Sequence, residues 1–293
     1  MSGIYKTALD KIPFKALTNK CIVLDLDETL VHSNENLSEL NSLGLMRDPQ
    51  LIDLRNRVYE LSMDDVVYKK GQGLKTEMWG ITRPHVKEFL ISCFAYFKVV
   101  AVWSAGKKKY VESIVDYLFK DIRRPHIVYS REKCETLNDS NKTLTKPLMK
   151  MINSEPGLDR YMSLENTFII DDRKTVFEVP NPNNGIQIPP YEPKFNIRSL
   201  RTDDIALKQL MTWLLKPEVM NSSDVRLLNK ENIFDMSVTV NDFNEDEDEE
   251  IPIDYNIFRH SNSNYIANNS NSKISRLKPA FLTDGSEQIE EII

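Results

Sequence analysis

The sequence predicts an α/β fold built on a parallel sheet, and two observations carry that prediction. Short, continuously apolar runs recur through the first two thirds of the 293 residues, and segments with helical spacing lie between or after them. A strand reads as an unbroken apolar run when both faces of its sheet are covered, which is the habit of parallel sheets. Alternation of such strands with helices places the helices on the sheet faces.

In chain order, the first strand is Cys21-Ile22-Val23-Leu24. A helix over 86–94 follows Arg83-Pro84, with Pro84 suited to a first helical position because its missing N–H is not needed there. Val99-Val100-Ala101-Val102-Trp103 is the second strand, and 110–119 is a helix with Val111, Ile114, Val115 and Leu118 on one face. His126-Ile127-Val128-Tyr129 and Thr167-Phe168-Ile169-Ile170 supply two more strands, and 203–215 repeats the helical pattern with Leu207, Leu210, Met211 and Leu214.

Two regions break the alternation. Residues 33–82 form an insertion after the first strand, in which Arg57-Val58-Tyr59-Glu60-Leu61 alternates like a strand and Thr76-Glu77-Met78-Trp79-Gly80-Ile81 forms a second run. Gly71 and Gly73 suit the turn between them, so the insertion is expected to be a small antiparallel β unit. Beyond Pro217 the chain is rich in Asn and Ser and holds the run Glu245-Asp246-Glu247-Asp248-Glu249-Glu250. A segment of that composition buries too little apolar surface to offset its ordering entropy, which predicts a disordered acidic tail over 217–293. Short apolar patches at 251–258 and 280–282 are the parts of it suited to docking. The expected organisation is therefore an N-terminal extension at 1–19, a catalytic-type domain at 20–216, and the tail.

Charge divides along the same line. From Pro217 to Ile293 there are 16 Asp+Glu against 6 Lys+Arg, whereas residues 1–216 carry 32 basic and 28 acidic residues. The mildly basic body suits an anionic partner such as a phosphoprotein but does not indicate nucleic acid. No apolar stretch approaches the length that crosses a bilayer, and Met1 to Lys20 lacks the apolar core of a signal peptide, so neither a membrane nor secretion is expected. Cys21, Cys93 and Cys134 are scattered, which argues against a disulfide framework or a structural zinc site and for a reducing compartment, nucleus or cytoplasm.

The chemistry is concentrated at the strand ends. Asp25-Leu26-Asp27-Glu28-Thr29-Leu30 follows the first strand, and ligands of open α/β sheets bind beyond the carboxyl ends of the strands. Phosphoryl transfer needs a nucleophile, a proton donor for the leaving oxygen and a cation to offset phosphate charge. Asp25 and Asp27 can supply the first two while a hard cation takes oxygen ligands. An isolated pair of this kind is commonly a helix cap; here further matches follow in order. Ser104, with the amides of Ala105 and Gly106, ends the second strand and suits a phosphoryl oxygen. Lys146, before Pro147, suits charge neutralisation, with Lys142 and Lys150 as competitors. Asp171-Asp172 closes the strand 167–170, where a Mg²⁺ site would be completed. Thr29 can fix the loop by hydrogen bonding, and the phosphate-binding candidates are Thr29, Ser104, Ala105 and Lys146. His32 and His85 read as structural, and Arg173 as either a phosphate contact or a loop ion pair.

With these residues in place, the chain resembles the haloacid-dehalogenase (HAD-like, Rossmann-like) phosphatases, and within them the NLI-interacting-factor-like family that acts on the C-terminal domain of RNA polymerase II. The resemblance rests on Asp25-Leu26-Asp27-Glu28-Thr29-Leu30-Val31-His32-Ser33, on Thr82-Arg83-Pro84-His85-Val86-Lys87-Glu88-Phe89-Leu90, and on Ile169-Ile170-Asp171-Asp172-Arg173. It covers roughly 20–216. It implies Asp25 as nucleophile, Asp27 as acid/base, phosphate contacts from Ser104 and Lys146, and magnesium held by Asp25, the Asp27 carbonyl and Asp172, with Asp171 supporting or sharing the site. The expected activity is a Mg-dependent phosphoserine/phosphothreonine protein phosphatase working through an aspartyl-phosphate. Two alternatives stand beside it: a phosphoprotein-binding adaptor, and a phosphatase of nucleic-acid ends or small phosphomonoesters. Ser104 stands where many members carry Thr, the insertion is longer than in small members, and Asn183-Asn184-Gly185-Ile186 resembles the family's loop after the metal acids.

Overall fold

Each of the four predicted apolar runs forms a strand of one parallel sheet in the computed structural model, which describes residues 16–45, 47–65, 74–202 and 204–235. All of these lie in the first of the two units into which the chain divides, Met1–Asp246. In order the elements are β1 (Cys21–Leu24), β2 (Val31–Asn34), α1 (Leu37–Ser42), α2 (Ile52–Arg55), β3 (Val58–Asp65), β4 (Leu74–Thr82) and α3 (Val86–Tyr96). There follow β5 (Val99–Trp103), α4 (Lys108–Leu118), β6 (Ile127–Tyr129), β7 (Glu135–Thr136), β8 (Leu144–Thr145) and α5 (Leu148–Ser154). The last are β9 (Thr167–Asp171), β10 (Gly185–Gln187), α6 (Ile197–Arg201), α7 (Ala206–Leu214) and α8 (Pro217–Met220).

The parallel sheet has the order β10-β9-β1-β5-β6. β1 is central, with Cys21 opposite both Val99 and Thr167 in the register. Successive side chains of a strand point to opposite faces, so each strand feeds two cores. Ile22, Leu24, Val100, Val102, Phe168 and Ile170 pack with apolar residues of α3, α4 and α7. Cys21, Val23, Val99, Ala101, Trp103 and Ile169 pack on the other face with Leu148, Met151 and Ile152 of α5. Continuous apolarity in the sequence is thus the mark of two covered faces.

The insertion is larger than two strands. β2, β4 and β3 form an antiparallel sheet in that order. Its own core gathers Leu40, Leu45, Leu51, Leu54, Trp79 and Ile81. β2 escapes sequence reading because Val31 is its only fully buried residue and the rest of Val-His-Ser-Asn is polar. Gly71 and Gly73 lie outside the described residues, as do residues 1–15, the acidic run and the patches at 251–258 and 280–282.

Several boundaries differ from expectation. Pro84 lies in the turn before α3, whose first residue is Val86, with His85 left-handed at φ 63° just ahead of it. The helix expected over 203–215 is α7 alone, because Asp204 stands outside it, accepting from Ala206 N–H at 3.1 Å and pairing with Arg83. β10 stands at Gly185–Gln187, where the resemblance predicts loop.

The tail boundary at Pro217 is also too early. Val219, Val225 and Ile233 are buried in the first core. Lys20, itself buried, donates from Nζ to the carbonyls of Met220 and Ser222 at 2.9 and 2.8 Å. Val225 N–H donates to Glu165 O at 2.8 Å. Isolated apolar residues in a polar segment show no periodicity, yet three of them on an existing core are worth about 5 kcal/mol in total.

Candidate active site

The site is assembled at the carboxyl edge of the three adjacent strands β5, β1 and β9. Asp25 follows β1 directly, and its N–H donates to Ile170 O of β9 at 3.0 Å. Ser104 follows β5, and Asp171 is the last residue of β9. Asp25, Ser104, Asp171 and Lys146 are all buried, while Asp172 and Asp27 are half-buried.

Lys146 is the hub. Its Nζ lies 2.6 Å from Asp25 Oδ1 and 2.6 Å from Asp171 Oδ2. The backbone around it is clamped: Lys146 N–H donates to Val176 O at 3.0 Å, and Asn181 donates to Lys146 O at 2.8 Å while accepting from Leu148 N–H at 2.7 Å. The two rival lysines are elsewhere, with Lys142 exposed and Lys150 paired to Glu135 at 3.3 Å. Burial alone works to deprotonate Lys146, and the carboxylates of Asp25 and Asp171 outweigh it, holding the ammonium above its ordinary range.

One oxygen each from Asp25, Asp171 and Asp172 lies within 4.8 Å of the others. Burial pushes Asp25 well above the usual carboxylate range, with Lys146 opposing and Asp171 and Asp27 adding to the rise. Asp172 is pushed up to about 6, chiefly by partial burial and then by Asp171. Three crowded carboxyl groups against one ammonium present oxygen donors alone, which fits a hard divalent cation.

The Asp27 side chain is not in that group. Oδ1 accepts from Tyr110 Oη, and Oδ2 lies 3.3 Å from the donating Ser104 Oγ. Burial raises Asp27, and the Tyr110 hydrogen bond works against the rise. Ser104 Oγ in turn accepts from Gly106 N–H at 2.9 Å, so the Gly106 amide is committed to Ser104 and not open to a phosphoryl oxygen. Ala105 sits half-buried in the same turn.

Thr29 departs from expectation. Its hydroxyl is sealed, with no hydrogen-bond partner among the described residues. The loop is fixed by backbone instead: Thr29 O accepts from Arg83 at 3.2 Å. Arg83, almost wholly buried, also grips Asp204 through two bonds of 2.9 Å and Pro189 O at 2.8 Å, tying the loops after β1 and β10 together. His32 lies 3.2 Å from Glu28 and packs against Phe195, consistent with a structural part, and Arg173 is exposed. Tyr110 and Asn181 were missed by sequence reading. Tyr110 reads as one more residue of an amphipathic helix, and Asn181 is hidden in a Pro/Asn-rich loop.

Residues 20–226 match the family model for NLI interacting factor-like phosphatase. The chain is 27% identical over 209 residues to "Probable C-terminal domain small phosphatase" of Dictyostelium discoideum, covering 71% of this chain and 53% of that protein. It is 32% identical over 130 residues to "Phosphatase PSR1" of Saccharomyces cerevisiae, covering 44% of this chain and 25% of that one. The chain spans about half, or less, of the length of the curated relatives it matches. The solved structure of Fcp1, described as an essential RNA polymerase II CTD phosphatase, is similar at TM-score 0.46 and 18% identity, covering 72% of this chain and 58% of that one. With the family model spanning most of its length, this chain belongs to the NLI interacting factor-like phosphatase family.

Proposed function

We propose that the chain is a magnesium-dependent protein-serine/threonine phosphatase that works through an aspartyl-phosphate on Asp25. The observation that carries the reading is the meeting of Asp25, Asp171 and Asp172 around one shared volume, with Lys146 bonded to two of them. Family membership supports a phosphate ester as substrate, and the relative named as a probable C-terminal domain small phosphatase supports a phosphorylated protein segment as that ester. No helix among the described residues is long and apolar enough to cross a membrane.

Lys146 holds Asp25 Oδ1, which leaves Oδ2 as the attacking oxygen. Attack on phosphorus forms the Asp25–phosphate bond and breaks the bond to the serine or threonine oxygen, which takes the proton of Asp27. Asp27 then accepts a proton from water, and that water displaces phosphate from Asp25, restoring both carboxyl groups. Ser104 and Lys146 contact the phosphoryl oxygens. Asp25, the Asp27 carbonyl and Asp172 would hold Mg²⁺, with Asp171 in support, and the ion supplies charge neutralisation for the phosphate. Burial that keeps Asp27 protonated beyond the ordinary carboxylate range suits it to the acid step.

Asp25→Asn is expected to abolish Mg-dependent hydrolysis of 4-nitrophenyl phosphate and of phosphoserine peptides. Near-wild-type turnover in that variant, or hydrolysis undiminished by chelation of divalent metals, overturns the reading.

A further inference from the structure

Asp27 is tied on its far side into a line of hydroxyls that leaves the parallel sheet. Tyr110 of α4 donates from Oη to Asp27 Oδ1. Ser33 Oγ, on β2, lies 2.6 Å from Tyr110 Oη and 2.7 Å from Tyr59 Oη, on β3. Each hydroxyl has one proton to give. With the Tyr110 proton on Asp27, that of Ser33 goes to Tyr110 and that of Tyr59 to Ser33. The line therefore has one direction, from the inserted sheet to Asp27.

Space for this line is built into the backbone. Gly80 faces Tyr59 in the β3–β4 register, and a Cβ there would collide with Tyr59 Oη. A Cβ at Gly106 would lie 2.7 Å from Tyr110 Cδ1. Tyr59 is only 3% exposed, and its ring packs against Tyr117 of α4 with centroids 5.0 Å apart. Burial pushes the Tyr59 phenol up, so it stays protonated and acts as the first donor of the line.

A carboxyl group turns readily about its last torsion, where the preference is broad and two-fold. Oδ1 accepts the short bond from Tyr110 and Oδ2 only the long one of 3.3 Å from Ser104, so pinning Oδ1 favours an acid proton on Oδ2, the oxygen on the Ser104 side. We propose that Tyr59, acting through Ser33 and Tyr110, is a positioning residue for Asp27, so that the inserted sheet fixes which Asp27 oxygen meets the leaving group. This rests on the reading above in which Asp27 delivers the leaving-group proton.

The test compares two substrates with the full chain and magnesium. 4-Nitrophenolate departs without a proton, whereas phenolate gains from one, and kcat/KM reports the steps up to phenol release. In Tyr59→Phe and Ser33→Ala, kcat/KM for phenyl phosphate is expected to fall about tenfold further than for 4-nitrophenyl phosphate. Ser33→Thr, which keeps the hydroxyl, is expected to restore the wild-type ratio. Thermal melting identifies the variants that fold, and Ser33→Ala decides if Tyr59→Phe does not. Equal losses on both substrates, or no loss on either, overturn the inference while leaving the phosphatase reading intact. That reading fails separately, by absence of Mg-dependent turnover in the wild type or by its survival in Asp25→Asn.

Discussion

Replacing Lys146 by Met perturbs the site at its most constrained point. The ammonium is 1% exposed and bonds Asp25 and Asp171 at 2.6 Å each. Met preserves most of the volume, so the loss is electrostatic: two buried carboxylates remain with their shared partner gone. Removing one member of a buried ion pair costs about 3–5 kcal/mol. For a domain of this size that corresponds to a fall in Tm of roughly 6–20 °C. The pH dependence distinguishes this from a packing defect. Asp25 is already held above the ordinary range by burial, and Lys146 is the main influence opposing that rise. In Lys146→Met the folded Asp25 binds its proton still more tightly than the unfolded one. The folded state then carries more protons, and stability falls as pH rises from about 4 through the raised folded value. The variant's deficit should therefore be small near pH 5 and largest near pH 8, as followed by urea denaturation at several pH values. A deficit under about 1 kcal/mol, or one independent of pH, refutes the reasoning.

Three further outcomes follow from the same geometry. Magnesium in excess should stabilise the wild type by about 1–3 kcal/mol in thermal unfolding, and Asp172→Asn should lose most of that shift; an equal shift in the variant removes Asp172 from the cation site. His126 is held down to about 4 by burial and by nearby Arg123. Its folded form stays neutral while the unfolded form gains a proton below about 6.5, so stability falls as pH drops from there towards 4, by about 3 kcal/mol. His126→Gln should flatten the curve over that window, and parallel curves for the two proteins contradict the assignment. Ending the chain at Lys216 removes Val219, Val225 and Ile233 from the core and strands the Lys20 ammonium, a loss of about 5 kcal/mol or more. A shortened chain that melts within a few degrees of the full one contradicts the docking.

What could be read directly was whatever depends on neighbours along the chain. Strands β1, β5, β6 and β9 announced themselves because burial on both faces demands unbroken apolarity, and the acids at their ends followed. β2 and β10 did not, since a short strand with one buried side chain carries too little pattern. The segment after Pro217 was misjudged for a related reason: composition averages over a window, while docking depends on three particular side chains and one lysine.

By itself the sequence determined the α/β class, the parallel core strands, and the placing of Asp25, Asp27, Ser104 and Asp171-Asp172 at strand ends. Those are consequences of local periodicity and of chemistry at fixed offsets. The tertiary structure alone decided that Lys146 and not its neighbours reaches Asp25 and Asp171, which lie 121 and 25 positions away. It also decided that the Thr29 hydroxyl is sealed off, and that Tyr59 and Ser33 reach Asp27 through Tyr110. Hydrogen bonds of a few ångströms are set by how layers pack, and no spacing along the chain encodes which distant atoms that packing brings together.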